Sequence, residues 1–156
     1  MEKRINTELI IILIILSLSL LAAYIIEYGL GHAPCKLCIY QRVPYFLSIF
    51  LILNTLLTKK YIKLSLFFLA LISLCGSALS FYHFGIEQGF FNETLVCETE
   101  NQTNNLSKEE ILDQLRKQTV SCKDVSFRLL GLSLASINAI FSFILFCIFV
   151  RLFKKL

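Results

Sequence analysis

The run LIIILIILSLSLLAAYII, at residues 9–26, contains no charged side chain over 18 positions. An α-helix needs about 20 residues to cross the roughly 30 Å apolar core of a bilayer, so this run is long enough for one span. Three runs of similar length follow, at residues 39–57, 64–82 and 129–150. The whole chain of 156 residues is 56% hydrophobic, with a mean hydropathy of +0.72. We therefore predict an all-α membrane protein, a single four-transmembrane-helix bundle with spans at about 9–28, 39–57, 64–84 and 129–150.

The first span has the basic flank of a signal peptide, because Lys3 and Arg4 precede it. Its apolar part exceeds the roughly 7–15 residues of a signal peptide, and no clear small-residue cleavage site follows it. We therefore expect a retained membrane anchor.

The basic residues predict the orientation of the bundle. Eight of the 15 Lys and Arg residues flank the spans on one side, namely Lys3, Arg4, Lys59, Lys60, Lys63, Arg151, Lys154 and Lys155. The positive-inside rule places this side, with both termini, in the cytoplasm. Segments of about 29–38 and 85–127 then face the periplasm or the cell exterior. The net charge of +4 thus reflects topology, and we expect no nucleic-acid partner.

The six cysteines are divided unevenly across the predicted membrane. Four lie in the outer segments, where disulfides persist, and none lies in a cytoplasmic loop. The outer four are Cys35 and Cys38 in the first loop and Cys97 and Cys122 in the second, whereas Cys75 and Cys147 lie within spans as small apolar side chains. This partition favours thiol–disulfide chemistry on the outer side.

The outer end of the second span carries a charge beside two thiols, in GHAPCKLCIYQRVPYF at residues 31–46. Residues 43–57 alone are too short to span a bilayer, so the helix must begin earlier, which puts Arg42 about one turn inside the membrane. The spacing i, i+3, i+4, i+7 places four side chains on one helix face: Cys38, Gln41, Arg42 and Tyr45. The arginine either snorkels to the headgroups or stabilises a nearby negative charge.

Cys38 lies near the predicted helix N-terminus, where partial positive charge stabilises a thiolate. Arg42, one turn away, adds a full positive charge, and both effects lower the pKa of the Cys38 thiol. Burial raises that pKa, so the balance is left open. The cation favours a reactive CxxC pair, because a structural disulfide gains nothing from it.

Two other uses of the outer cysteines remain open. One is a four-thiolate zinc site, although the 24 residues between Cys97 and Cys122 far exceed the two to four typical of a compact zinc knuckle. The other is a pair of stable disulfides in a four-span structural or adhesion protein.

Three polar features lie outside the CxxC segment. His83, at the outer end of the third span, lies at the depth of the CxxC pair and is either an interfacial or a functional side chain. Asn138 in the fourth span is expected to hydrogen-bond to another helix. Residues 107–110 form a capping-box pattern that predicts a short amphipathic helix over 107–118, lying on the membrane surface or on the bundle's own loops.

Three stretches resemble one known family. PCKLCIYQR, at residues 34–42, resembles the second-span motif of the disulfide bond formation protein B (DsbB) family. FYHFGIEQGFF, at residues 81–91, is similar to the end of that family's third span. VSCKDVSFRLLGLSLASINA, at residues 120–139, is similar to the segment that joins the second redox pair to the last span. The resemblance covers most of the chain after residue 25.

The resemblance implies a membrane thiol oxidase of the bacterial inner membrane. Such a protein oxidises a periplasmic DsbA-like thioredoxin-fold protein and passes the electrons to a membrane quinone, either ubiquinone or menaquinone. Cys97 would form the mixed disulfide with the partner, and Cys122 would exchange with Cys35. Cys38 would donate electrons to the quinone, and Arg42 would stabilise the negative charge. His83 resembles a family position near the quinone ring.

A quinone reductase of the vitamin K epoxide reductase type would be another enzyme that couples CxxC to a quinone in a helical bundle. In that type the CxxC lies late in the bundle, whereas here it opens the second span. The order of the motifs therefore favours the DsbB family.

Overall fold

The computed structural model describes residues 2–59, 61–92, 122–123, 128–129 and 131–155. Four helices dominate the described chain: α1 (Glu2–Tyr24), α2 (Lys36–Thr58), α3 (Ile62–Glu87) and α4 (Leu134–Lys155). A π-helical segment, Ile25–Gly29, continues α1, and a small antiparallel pair, β1 (Arg128–Leu129) and β2 (Leu132–Ser133), precedes α4. Each of the four helices is long and apolar enough to cross a membrane, which confirms the predicted number of spans.

The second helix begins earlier than the predicted residue 39. Cys35 adopts an extended conformation, with φ −71° and ψ 166°, and its Sγ accepts the backbone N–H of Cys38 at 3.3 Å. This contact caps the helix, whose first residue is Lys36. Arg42 therefore lies farther from the N-terminal end of α2 than the predicted single turn.

The last helix begins later than the predicted residue 129. Gly131 has φ +83°, a conformation that residues with a side chain disfavour, and it lies in the turn between β1 and β2. Ser133 then caps α4, because its Oγ accepts the backbone N–H of Ser136 at 3.2 Å. Leu129, Gly131 and Leu132 thus belong to two short strands and a turn, although their apolar composition resembles that of the helix.

The buried side chains form two groups. The larger group lies toward the ends of the helices that carry the termini, where α1 contributes Leu9 and Leu16, α3 contributes Leu66, and α4 contributes Phe149. The smaller group lies at the opposite end and contains Cys35, Leu37, Ile86 and Cys122. Many large apolar side chains elsewhere are exposed, as expected for a surface that contacts lipid.

Helices α2 and α3 approach closely through a small residue. A Cβ atom added at Gly76 would lie 3.3 Å from the Cβ of Pro44, which sits inside the continuous helix α2. Small residues allow this approach in membrane bundles. The close crossing brings the C-terminal end of α3 beside the CxxC segment.

Some predictions fall on parts of the chain outside the described residues. They concern Cys97 and the amphipathic helix at 107–118, together with most of the second outer loop. The cytoplasmic placement of both termini also stays a prediction.

Candidate functional site

The CxxC pair occupies the N-terminal end of α2. Cys35 precedes the helix and is 5% exposed, and Cys38 lies in its first turn. Their Sγ atoms are 2.9 Å apart and hydrogen-bonded, and both residues are free cysteines. The backbone N–H of Cys38 also donates to the sulfur of Cys35. Donors therefore converge on the first cysteine of the motif.

These donors lower the pKa of the Cys35 thiol from 9.0 to about 4. The hydrogen bond from the Cys38 side chain has the largest effect, burial opposes it, and the hydrogen bond from His83 adds to it. The sequence argument for a favoured thiolate concerned Cys38. In the structure the contacts that stabilise a thiolate surround Cys35, because its sulfur, and not that of Cys38, accepts the helix-capping N–H.

Cys122 lies against the CxxC pair. Its side chain is 2% exposed and its sulfur belongs to a disulfide. The Sγ atoms of Cys35 and Cys122 and the facing ring nitrogen of His83 all lie within 4.8 Å of one another. Because a disulfide sulfur is not the thiolate that zinc requires, this cluster is not a zinc site in the observed state. It instead places a free thiol next to a disulfide.

His83 lies between the CxxC pair and the interior of the bundle. Its Nε2 atom is 3.5 Å from the sulfur of Cys35 and 3.7 Å from Oε1 of Glu87. Its Nδ1 atom is 2.8 Å from the side-chain nitrogen of Gln41. An amide nitrogen only donates, so Nδ1 accepts and the ring proton resides on Nε2, facing Cys35 and Glu87.

A chain of amide and hydroxyl groups fixes the orientation of Gln41. Asn138 donates from Nδ2 to Oε1 of Gln41 at 2.8 Å and to the Oγ of Ser80 at 2.8 Å. The Tyr45 hydroxyl donates to Oδ1 of Asn138. Asn138 thus hydrogen-bonds to α2 and α3, which confirms the predicted interhelical contact.

A cavity of about 310 Å³ opens beside Cys38, between α1, α2 and α4. Its walls are mostly apolar, with residues such as Leu20, Ile26, Ile137 and Phe141. Its polar lining includes the four side chains predicted to share one face of α2, which are Cys38, Gln41, Arg42 and Tyr45. Such a cavity, apolar with a few convergent polar groups, is typical of a small-molecule site.

Arg42 is held in this cavity by a partner from the first helix. Its Nη1 atom is 2.5 Å from Oε2 of Glu27, and its guanidinium lies 4.8 Å from the ring centroid of Tyr24. The two charged side chains are only 15% and 18% exposed. The arginine is therefore a paired, partly buried cation, which the snorkelling interpretation does not describe.

The structure brings together Cys35, Cys38, Cys122 and His83, and it places Arg42 next to Cys38 in the cavity wall. His83 contacts Cys35 and is not among the described residues that line the cavity, so its predicted place beside a quinone stays a prediction. Cys75 and Cys147 are free and exposed on the bundle surface. The expectation that they fill its interior as small apolar side chains is therefore wrong.

Sequence reasoning missed two acidic residues at this site. Glu27 follows the first apolar run, at the same predicted depth in the membrane as Arg42. The sequence could therefore have suggested that these two charged side chains form an ion pair. Glu87 lies four residues after His83, on the same helix face, so the sequence could also have suggested that these two side chains meet.

The family model described as "Disulfide bond formation protein DsbB" matches residues 6–152. The chain belongs to the DsbB family. It is also 30% identical over 131 residues to "Uncharacterized protein RP370" of Rickettsia prowazekii (strain Madrid E), covering 81% of this chain and 76% of that protein. No solved structure matches the chain significantly. Membership of the DsbB family identifies the protein as a membrane disulfide-forming oxidoreductase with thiol oxidase activity.

Proposed function

We propose that the protein reoxidises a periplasmic DsbA-like thioredoxin-fold protein and passes the electrons to a membrane quinone, ubiquinone or menaquinone, in the bacterial inner membrane. One observation carries this proposal. Cys35 lies within 4.8 Å of the Cys122 sulfur and 2.9 Å from the Cys38 sulfur, and Cys38 lines the cavity. Electrons arriving at Cys122 therefore have a short path through Cys35 to a membrane-embedded site.

The proposed outer half of the cycle is a series of thiol–disulfide exchanges. A thiolate of the partner attacks Cys97 in a Cys97–Cys122 disulfide, and Cys122 leaves as a thiolate. Cys122 attacks Cys35 in the oxidised CxxC pair, and Cys38 leaves. The second partner thiol then frees Cys97, which attacks Cys122 and releases Cys35. The partner has become a disulfide, and its two electrons reside in the CxxC pair.

The acidity of Cys35 suits the last of these exchanges. A thiol of lower pKa leaves faster from a disulfide, and the pKa of Cys35 is lowered to about 4. The donors around its sulfur, Cys38 and His83, therefore favour its release when Cys97 closes the outer disulfide.

The cavity residues fit a quinone. Its apolar walls suit a hydrocarbon tail, and its polar end includes two side chains with N–H groups for ring oxygens, Arg42 and Gln41. A quinone, when bound, accepts two electrons and two protons. With such a group in the cavity, Cys38 in the cavity wall would be the residue that supplies the electron pair, and Cys35, 2.9 Å away, would close the disulfide with it. Arg42 holds the negative charge that develops beside it, in surroundings where screening by water is weak.

Turnover of the purified protein tests this proposal. Wild-type protein in lipid nanodiscs is given a reduced DsbA-type protein and ubiquinone or menaquinone, and quinone absorbance is followed. We expect one quinone reduced per partner dithiol oxidised. Cys38→Ser is expected to stop quinone reduction but still form a mixed disulfide at Cys97. Cys75→Ser, at an exposed thiol outside the site, is the matched control and should turn over normally. No turnover by correctly inserted, quinone-loaded wild type would contradict the proposal.

The partner is identified by trapping. With Cys122→Ser, Cys97 is a free thiol that can attack the disulfide of the oxidised partner and release one partner thiolate. Cys122 is then absent and cannot displace the partner, so the mixed disulfide, preserved by acid quenching and alkylation, should be identifiable by mass spectrometry. A stable four-span structural protein would instead keep its disulfides unchanged and capture nothing.

A further inference from the structure

The cavity beside Cys38 contains an ion pair in its wall. Among the described residues that line it, Glu27 is the one carboxylate and Arg42 the one guanidinium. Nη1 of Arg42 lies 2.5 Å from Oε2 of Glu27, and the two side chains are only 15% and 18% exposed. Charges this far out of water are weakly screened, so each one largely cancels the field of the other. The electron path described above uses Arg42 but gives Glu27 no part.

Glu27 lies on the cavity face of α1 and its π-helical continuation. Residues of this face recur at helical spacing in the cavity wall, at Leu20, Ala23 and Glu27. The neighbouring Tyr24 places its ring 4.8 Å from the guanidinium carbon of Arg42. A carboxylate and an aromatic face of one segment therefore hold Arg42 in position at the cavity wall.

The carboxylate changes which ligands such a cavity would accept. A partly buried guanidinium without a partner is destabilised, and a ligand that carries a negative charge would restore its charge balance. Membranes supply such ligands as fatty-acid carboxylates, whose tails suit apolar walls and whose binding would compete with that of a neutral quinone. Glu27 already provides the negative charge, so a second anion next to it would be repelled.

The ion pair still leaves Arg42 able to bind a neutral ligand. A guanidinium has five N–H groups, and the bond to Glu27 comes from Nη1. Arg42 is therefore able to donate a hydrogen bond to a ring oxygen without giving up its partner. A neutral ring gains this bond and meets no repulsion from the carboxylate.

We propose that Glu27 is a specificity-determining residue, which makes the cavity accept neutral quinones and reject apolar ligands that carry a negative charge. The inference rests on the proposed quinone site and adds the chemical class that this site excludes. Glu27 does so through Arg42, by cancelling a charge that would otherwise recruit anions into an apolar cavity.

A matched pair of ligands tests the inference without turnover. The compound 2,3-dimethyl-1,4-naphthoquinone is neutral, whereas 2-hydroxy-3-methyl-1,4-naphthoquinone has nearly the same shape and is an anion at neutral pH. Binding of each is measured by equilibrium dialysis against the full-length protein in nanodiscs. The protein is oxidised, so the CxxC pair has no electrons to donate. Uptake by empty nanodiscs is subtracted, which corrects for partition into lipid.

Wild type should bind the neutral quinone at least about tenfold more tightly than the anion. Glu27→Gln should bind the anion at least about tenfold more tightly than wild type does, which is the factor expected for one hydrogen bond to a charged group. Its affinity for the neutral quinone should change little. Glu27→Asp keeps the negative charge and is the matched control, so it should still reject the anion.

Two double variants assign the gained binding to Arg42. Glu27→Gln/Arg42→Gln has neither charge and should not gain affinity for the anion. His32 also lines the cavity, so Glu27→Gln/His32→Gln is expected to keep the gain. Loss of the gain in this second double variant would place the anion at His32 and overturn the inference.

Two other results would also contradict it. One is a wild type that binds both ligands equally, a result that does not depend on whether any variant folds. The other is a folded Glu27→Gln variant that loses affinity for both ligands alike, which is what a merely structural role of Glu27 would produce.

The failure of this inference is distinguishable from failure of the proposed function. If wild type binds the neutral quinone but does not discriminate against the anion, only the role of Glu27 fails. If wild type binds neither ligand, the proposed quinone site fails with it.

Discussion

The acidity of Cys35 can be tested by alkylation at low pH. At pH 6 a thiol with the ordinary pKa of 9.0 is about 0.1% thiolate, whereas one with a pKa of about 4 is almost fully ionised. The thiolate is the reactive form, so this difference amounts to about 1,000-fold in relative rate. Restricted access of the reagent to the buried sulfur lowers the labelling rate by the same factor at every pH, so the shape of the pH profile reports the pKa of the thiol.

The assay measures iodoacetamide labelling of the Cys35 peptide by mass spectrometry, with each rate divided by its own plateau at high pH. Folded protein with a reduced CxxC pair should keep its plateau rate down to about pH 5. The same peptide in denatured protein should lose about tenfold per pH unit below its ordinary pKa.

Two variants identify the cause of this acidity. Cys38→Ala removes the donor with the largest effect on the Cys35 pKa, so that pKa should rise. Cys38→Ser retains an O–H donor at the same position, so the profile should stay close to wild type. A folded wild type whose labelling falls with pH in parallel with the denatured reference would refute the reasoning.

Three further substitutions address the cavity and the bundle. Arg42→Leu should raise the KM for quinone by about 10–100-fold, since a hydrogen bond to a charged group is worth about 1.5–3 kcal/mol. Arg42→Lys keeps the charge and should raise the KM less. Steady-state kinetics with a series of quinones measures both effects. Glu27→Gln leaves a partly buried cation without its partner, so thermal unfolding in detergent should show a loss of about 1–3 kcal/mol, and an unchanged midpoint would mean that the ion pair contributes nothing. Asn138→Leu removes the bonds that join α2 to α4 and should cost about 1–2 kcal/mol in the same assay, whereas Asn54→Leu, at an exposed position of α2, should cost little.

The lengths of the apolar runs were sufficient to predict four spans, because a bilayer requires about 20 apolar residues in a helix whatever the sequence. The ends of the helices were less predictable. Cys35 caps α2 and Ser133 caps α4 through single hydrogen bonds, and Gly131 adopts positive φ in a turn between apolar residues. Such local contacts are not visible in hydropathy.

The face of α2 that lines the cavity was predictable from helical spacing alone, since all four predicted side chains line it. The contacts between helices were not. The pairing of Arg42 with Glu27, and the approach of His83 and Glu87 to Cys35, depend on how each helix is rotated about its axis. That rotation is set by packing of side chains distant in sequence, such as Gly76 against Pro44.

We propose above all that Cys35 joins the Cys122 disulfide to the Cys38 thiol in the cavity wall. This link is tested most directly in the double variant Cys38→Ser/Cys97→Ser, which leaves Cys35 and Cys122 as the two site cysteines. Mild oxidation followed by proteolysis and mass spectrometry should show a nearly quantitative Cys35–Cys122 disulfide, because the two sulfurs lie within 4.8 Å of each other. A folded double variant in which both thiols stay free, or pair with Cys75 or Cys147 instead, would contradict the account.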